Sequence, residues 1–169
     1  MAKRRISTFI LIILFFLLQT TVFQGIKLAN VVPNLLLILT VCIGYMRGRT
    51  EGLLTGLLCG LMLDMVYGSV IGLYAFIFMT IGFLIGYCQK YYFTDDLIMP
   101  TLLVSISDLV YGIYYYVVEF LMRGQINFGF YFIHVILPEI IYTVLISIIV
   151  YRLLRFVERW LTPRFRREA

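Results

Sequence analysis

The chain has 169 residues, 62% of them hydrophobic, a net charge of +5 and a mean hydropathy of +0.98. Soluble domains run at about 45–50% apolar, so this is the composition of an integral membrane protein, read as one helical domain over residues 1–169. Only 14% of residues are charged, which excludes a basic nucleic-acid-binding face, and no polar stretch is long enough for a soluble nucleotide or catalytic domain.

The N-terminus, MAKRRISTFILIILFFLLQTTVF, has the basic head and apolar run of a signal peptide. The following QTTVFQG offers no A-x-A-like cleavage site, so the stretch predicts an uncleaved first transmembrane helix over about Ile6 to Phe23. Gly25 to Val32 reads as a short loop, and Pro33 can open helix 2, from about Val32 to Met46, where its missing N–H costs little. Arg47-Gly48-Arg49-Thr50 makes a tight turn with two cations, and helix 3 returns over about Glu51 to Val66. Helices 2 and 3 are each short for a span. Shallow tilt, a thinned bilayer and a re-entrant hairpin buried against the other helices all stay open.

Tyr67-Gly68-Ser69 turns the chain again, with Ser69 as N-cap of helix 4, about Val70 to Cys88. Gly82 and Gly86 give that helix a second close-packing face. Gln89 to Asp96 is a polar, aromatic interfacial loop, and Asp95 or Asp96 can cap helix 5, about Leu97 to Leu121, with Pro100 in its first turn. Arg123 to Gly129 is a loop, and Glu119 stands four residues before Arg123 in the favoured order for an interfacial pair. Helix 6 runs over about Phe130 to Val157 and kinks at Pro138; the basic end, RWLTPRFRREA, lies on the membrane surface.

Six helices put both termini on one side. That side collects Lys3, Arg4, Arg5, Arg47, Arg49, Lys90, Arg152, Arg155, Arg159, Arg164, Arg166 and Arg167, against Lys27 and Arg123 opposite. Short cytoplasmic loops concentrate Lys and Arg, so the pattern predicts an all-α polytopic membrane protein with six transmembrane helices and cytoplasmic termini. Arg47, Arg49, Arg155 and Arg159 then serve as cytoplasmic basic anchors against the bilayer.

The most unusual spacing lies between Gly44 and Gly72, with glycine at 44, 48, 52, 56, 60, 68 and 72 and aspartate at 64. Small residues every four positions let a neighbouring helix backbone come close, in a right-handed crossing of the GxxxG kind. The ridge Gly52, Gly56, Gly60, Gly68 and Gly72 therefore packs either inside the bundle or against a partner protein.

Acids inside a membrane are expensive and need a role. Asp64, near the outer end of helix 3, either bonds to backbone or hydroxyl groups near Tyr67-Gly68-Ser69 or meets a partner or ion. Asp108 sits in mid-helix among Thr101, Ser105, Ser107, Tyr111 and Tyr114 to Tyr116, whose hydroxyls can satisfy it. Glu139 follows Pro138, where a kink frees a carbonyl and opens a polar pocket. Asp64, Asp108 and Glu139 facing one small cavity would be the shape of a transporter's substrate site.

Tyr67, Tyr74, Tyr87, Tyr91 and Tyr92 fall at interfaces as an aromatic belt. Cys42, Cys59 and Cys88 stand singly in apolar runs as small buried side chains, and the single His134 as a packed or interfacial residue. No HExxH, GxSxG or phosphate loop occurs. The expectation is a chain without catalytic, cofactor-binding or metal-ligating residues.

Pro33-Asn34-Leu35-Leu36-Leu37, Arg47-Gly48, Glu51-Gly52, Gly56, Gly60-Leu61-Met62-Leu63-Asp64, Gly68 and Gly72-Leu73 together resemble the rod shape-determining MreD family. Within the resemblance, Pro33, Gly52, Gly60, Asp64, Gly68 and Gly72 match the family pattern, and the specific match covers about residues 33 to 86. The resemblance implies a non-enzymatic, multi-pass subunit of the bacterial cytoplasmic membrane in the cell-elongation machinery. Such a scaffold works with the membrane protein MreC, and through it with cytoskeletal MreB and the glycosyltransferase and transpeptidase of sidewall peptidoglycan synthesis. It implies a fold similar to the S-components of energy-coupling-factor vitamin transporters, which keeps a small-solute binding subunit as the alternative. A homo-oligomer is compatible with either reading.

Overall fold

The computed structural model describes residues 2–25, 31–68, 72–89, 97–118 and 128–161. They form six helical rods. The first, α1, runs Ala2–Leu17, continues through a π-helical stretch, Leu18–Val22, and ends at Phe23–Gly25. Then come α2 (Leu35–Arg47), α3 (Arg49–Tyr67), α4 (Leu73–Cys88) and α5 (Ile98–Tyr116). The last, α6, opens at Phe128–Tyr131, passes through a second π stretch, Phe132–Ile136, and continues over Leu137–Leu161.

Among the described residues, four stretches are long and apolar enough to cross a membrane: Arg5–Gly25, Arg49–Tyr67, Ile98–Tyr116 and Gly129–Glu158. α2 and α4 are shorter apolar helices. Ile10 and Leu17 on α1, Leu102 and Ile106 on α5, and Ile149 and Phe156 on α6 all point outward. Such an apolar exterior suits lipid and not water, and the chain is an all-α, multi-pass membrane protein.

The bundle is built around α2. Its thirteen residues reach about 20 Å at 1.5 Å per residue, well short of a hydrocarbon core of about 30 Å. Every residue from Leu35 to Met46 is buried, so no face of α2 meets lipid. A helix enclosed in this way must find partners for its end groups within the protein. The Leu37 N–H donates to Asn34 Oδ1 at 3.2 Å, and the Leu36 N–H to Gln19 Oε1 at 3.1 Å. The Asn34 N–H donates to Thr143 Oγ1 at 3.3 Å. At the other end, Gln89 Nε2 donates to the Met46 carbonyl at 3.0 Å.

Three expected boundaries move. Asn34, not Pro33, starts α2, because its side chain satisfies the third N–H of the helix. α3 begins at Arg49, two residues before Glu51, and its 19 residues make it long enough to span instead of short. α4 begins at Leu73 behind Gly72, whose φ of 107° turns the chain; Ser69, expected as its cap, lies outside the described residues. So do Asp95 and Asp96, the Glu119 to Arg123 pair and the basic tail from Thr162.

At Pro138, where a kink is expected, the helix carries a local change of hydrogen bonding. Proline has no N–H to give the carbonyl four residues back and crowds it. The chain absorbs this in the π stretch Phe132–Ile136 immediately before, where the Leu137 N–H reaches back to the Phe132 carbonyl.

Candidate functional site

The glycine ridge is used inside the chain. A methyl group added at Gly56 would stand 2.7 Å from the Phe78 carbonyl carbon, and one at Gly60 would stand 2.5 Å from the Tyr74 carbonyl oxygen. At Gly52 it would meet the Gly44 Cα at 2.8 Å, and at Gly82 the Gly52 carbonyl carbon at 2.7 Å. One at Gly86 would lie 2.6 Å from the Gly48 carbonyl carbon. The backbones of α2, α3 and α4 thus touch with no side chain between them, which is what small residues at four-residue spacing allow. Gly82 and Gly86 are the other half of this joint and not a second face. Gly68 abuts the backbone of its own Asp64, and Gly72 faces open space with a positive φ that disfavours any side chain.

Asp64 completes the joint one turn beyond Gly60. Its Oδ1 accepts from the Tyr74 N–H at 3.0 Å and its Oδ2 from the Ala75 N–H at 2.9 Å. Gly72, at the N-cap of α4, has no side chain to do this. A carboxylate reaching over from α3 therefore takes the place of the missing cap, where the helix dipole also favours negative charge. Its partners are the first turn of α4, not the expected groups around Tyr67-Gly68-Ser69.

Of the three acids expected to share one cavity, only Glu139 lines one; Asp108 has both carboxyl oxygens enclosed, and Asp64 is bound to the start of α4. Glu139 lines a cavity of about 270 Å³, and Asp108, on the adjoining α5, lies within its electrostatic reach. The cavity sits at the end of the bundle where α1 and α5 finish and α2, α4 and α6 begin. Gln19, Gln24, Asn34, Tyr67, Tyr74, Tyr111 and Tyr115 also line it, with Gln24 Nε2 donating to the Tyr67 hydroxyl at 2.8 Å. Tyr74, Tyr111 and Tyr115 form a ring cluster with centroids 5.9–6.2 Å apart. Asp108 is 2% exposed, yet neither of its carboxyl oxygens has a hydrogen-bond partner. The expected satisfaction by tyrosine and serine hydroxyls is not present; the Thr143 hydroxyl stands beside the carboxyl, outside hydrogen-bond geometry.

The opposite end carries the basic cluster of the described residues. Arg47, expected as a basic anchor against the bilayer, has a buried side chain: its Nη2 meets Glu158 Oε2 at 2.6 Å, with side-chain exposures of 3% and 5%. Its Nε also donates to Glu158 Oε2 at 3.1 Å, and its Nη1 to Thr8 Oγ1. This cluster ties the start of α1, the end of α2 and the end of α6 together, so both ends of the described chain lie at one end of the bundle. Arg49 is exposed and lies over the Tyr87 ring at 5.8 Å. Arg155 is half-buried, and the Arg159 side chain lies outside the described residues.

The model of the family described as rod shape-determining protein MreD matches residues 3–157. The chain belongs to the MreD family. Membership gives it a role in rod shape determination, in a family of structural components and not of enzymes. No curated protein and no solved structure matches the chain. Within this MreD-family bundle, Cys42 and Cys59 are buried and Cys88 is half-buried. His134 is exposed, stacked on Phe130 at 4.1 Å with its Nδ1 3.0 Å from the Phe130 carbonyl. Among the described residues no group of three potential metal ligands occurs.

Sequence reasoning missed Gln19, Asn34, Gln89, Thr143 and Glu158, the side chains that complete α2 and Arg47. Only Asn34 left a local signal, an N-cap residue type just before an apolar helical run.

Proposed function

We propose that this chain is a non-enzymatic scaffold subunit of the bacterial cell-elongation complex. It binds MreC in the cytoplasmic membrane and, through it, supports MreB-directed sidewall peptidoglycan synthesis by the glycosyltransferase and transpeptidase. In this reading all six helices of the single domain span or insert, with both termini in the cytoplasm. The shortness of α2 is tolerated because it has no lipid-facing surface.

The observation that carries the reading, beside family membership, is the α2–α3–α4 joint. Backbone contact without intervening side chains gives a stiff core, and a stiff core is what a part that sets the geometry of an assembly needs. The ridge being occupied internally, partner contact falls to the outward apolar faces of the bundle. Affinity purification of the tagged full-length chain from membranes tests the reading: MreC is expected to come with it, and its absence under mild detergent would contradict it.

The second reading, a small-solute binding subunit related in fold to vitamin-transporter S-components, is favoured by one observation, the polar cavity at Glu139. A retained vitamin-sized molecule in native mass spectrometry would favour it over the scaffold.

A further inference from the structure

The cavity beside Glu139 has chemistry that the scaffold role does not use. A buried polar group without a partner costs about 1–3 kcal/mol, and more when it is charged. In Asp108 both oxygens lack one, and the nearby Glu139 adds a second acid of like charge. Two acids within electrostatic reach in a low-dielectric interior repel when ionised, and a cation seated against Glu139 eases the conflict. Among the described residues, no Lys or Arg lines the cavity.

The rest of the wall points the same way. Tyr74, Tyr111 and Tyr115 turn a ring cluster toward the space, and aromatic faces attract organic cations, as in cages for quaternary ammonium groups. Gln19 and Asn34 add amide oxygens, though both already accept from the start of α2. Size narrows the ligand. The cavity's volume of about 270 Å³ far exceeds the roughly 30 Å³ share of one water, but falls below the usual range of about 300–1,000 Å³ for drug-sized ligands.

We propose that this cavity binds a small organic ammonium group, held by the Glu139 carboxyl, favoured by the enclosed Asp108 charge within electrostatic reach, and walled by the rings of Tyr74, Tyr111 and Tyr115. Free amines and the amine head group of a phospholipid present the same chemistry to it. The inference does not rest on the scaffold reading, and loss of MreC binding would leave it untouched.

The test uses the purified full-length chain in detergent, with ethanolamine hydrochloride as probe against sodium chloride at equal ionic strength. A saturable rise in the thermal unfolding midpoint with ethanolamine is expected. Glu139→Gln is expected to weaken it about tenfold, the loss of one charge-assisted contact, Asp108→Asn to weaken it less, through the field alone, and the double variant to abolish it. Asp108→Asn is close to isosteric and breaks no hydrogen bond, so the fold is retained; Tyr115→Leu gives an independent, smaller loss.

Native mass spectrometry after reconstitution with phosphatidylethanolamine or phosphatidylglycerol then separates the sources. Selective retention of phosphatidylethanolamine, lost in Glu139→Gln, assigns the site to a head group. Ethanolamine binding without lipid retention assigns it to a free amine. No saturable shift in the wild-type chain, an unchanged shift in the double variant, or displacement of ethanolamine by equimolar magnesium would overturn the proposal.

Discussion

Asp64 on α3 closes the first turn of α4, its Oδ2 accepting from the Ala75 N–H at 2.9 Å. The two helices are therefore joined twice, by bare backbone along the ridge and by a carboxylate at its end. Deleting an N-cap acceptor costs roughly 1–2 kcal/mol. Asp64→Ala is expected to lower stability by about that much, and Asp64→Asn by less, since an amide oxygen still accepts one of the two N–H groups. Thermal unfolding of the full-length chain in detergent checks the order.

The ridge makes a graded prediction. Gly60→Ala forces a methyl group against the Tyr74 carbonyl oxygen, and overpacking of this kind costs about 1–3 kcal/mol; Gly60→Leu is expected to leave no stable bundle. Gly72→Ala meets no atom within 4 Å and should lose only the roughly 1–2 kcal/mol of its positive φ. Gly25→Ala has neither problem, and is expected to stay within about 0.5 kcal/mol of the wild type. Equal effects at Gly60 and Gly25 would contradict the joint.

Arg47 and Glu158 form a buried pair, so removing one partner takes a close opposite charge from the other in a low-dielectric setting. Arg47→Ala is expected to cost about 3–5 kcal/mol. Arg47→Lys should fall between, because one ammonium cannot reproduce the Nε and Nη2 contacts to Glu158 together with the Nη1 contact to Thr8. Measured in the same unfolding assay, Glu158→Gln should weaken the Arg47→Ala effect in the double variant, the mark of a coupled pair.

Gln19→Leu removes the acceptor of the buried Leu36 N–H and is expected to cost about 1–3 kcal/mol. Gln19→Glu keeps an acceptor and should lose less. Hydrogen exchange at the start of α2 should rise in the leucine variant and stay near wild type in the glutamate one.

The helices were legible because each is a long, predominantly apolar run, and the glycine spacing was legible as close packing because it repeats every four residues. Which helix filled the groove was not, since Gly52, Gly56 and Gly60 look the same whether α4 or a partner lies on them. Asp64 was recognisable as an acid needing a partner, but its partners belong to the start of the next helix, ten and eleven residues on. Arg47 read as a turn cation because its counter-ion, Glu158, is 111 residues away. Asp108 stood among enough hydroxyls to look satisfied; only the three-dimensional arrangement shows that none reaches it.

The central claim is a stiff membrane scaffold that meets MreC on its outward faces and not on its glycine ridge. Photo-crosslinking in living cells, with the reactive residue placed in turn at exposed Ile10, Ile106 and Ile149, and at the buried ridge-side Phe78, tests it most directly. The account predicts a crosslink to MreC from at least one of the three outward positions and none from Phe78. A crosslink to MreC from Phe78 alone, or from no position at all, would contradict it.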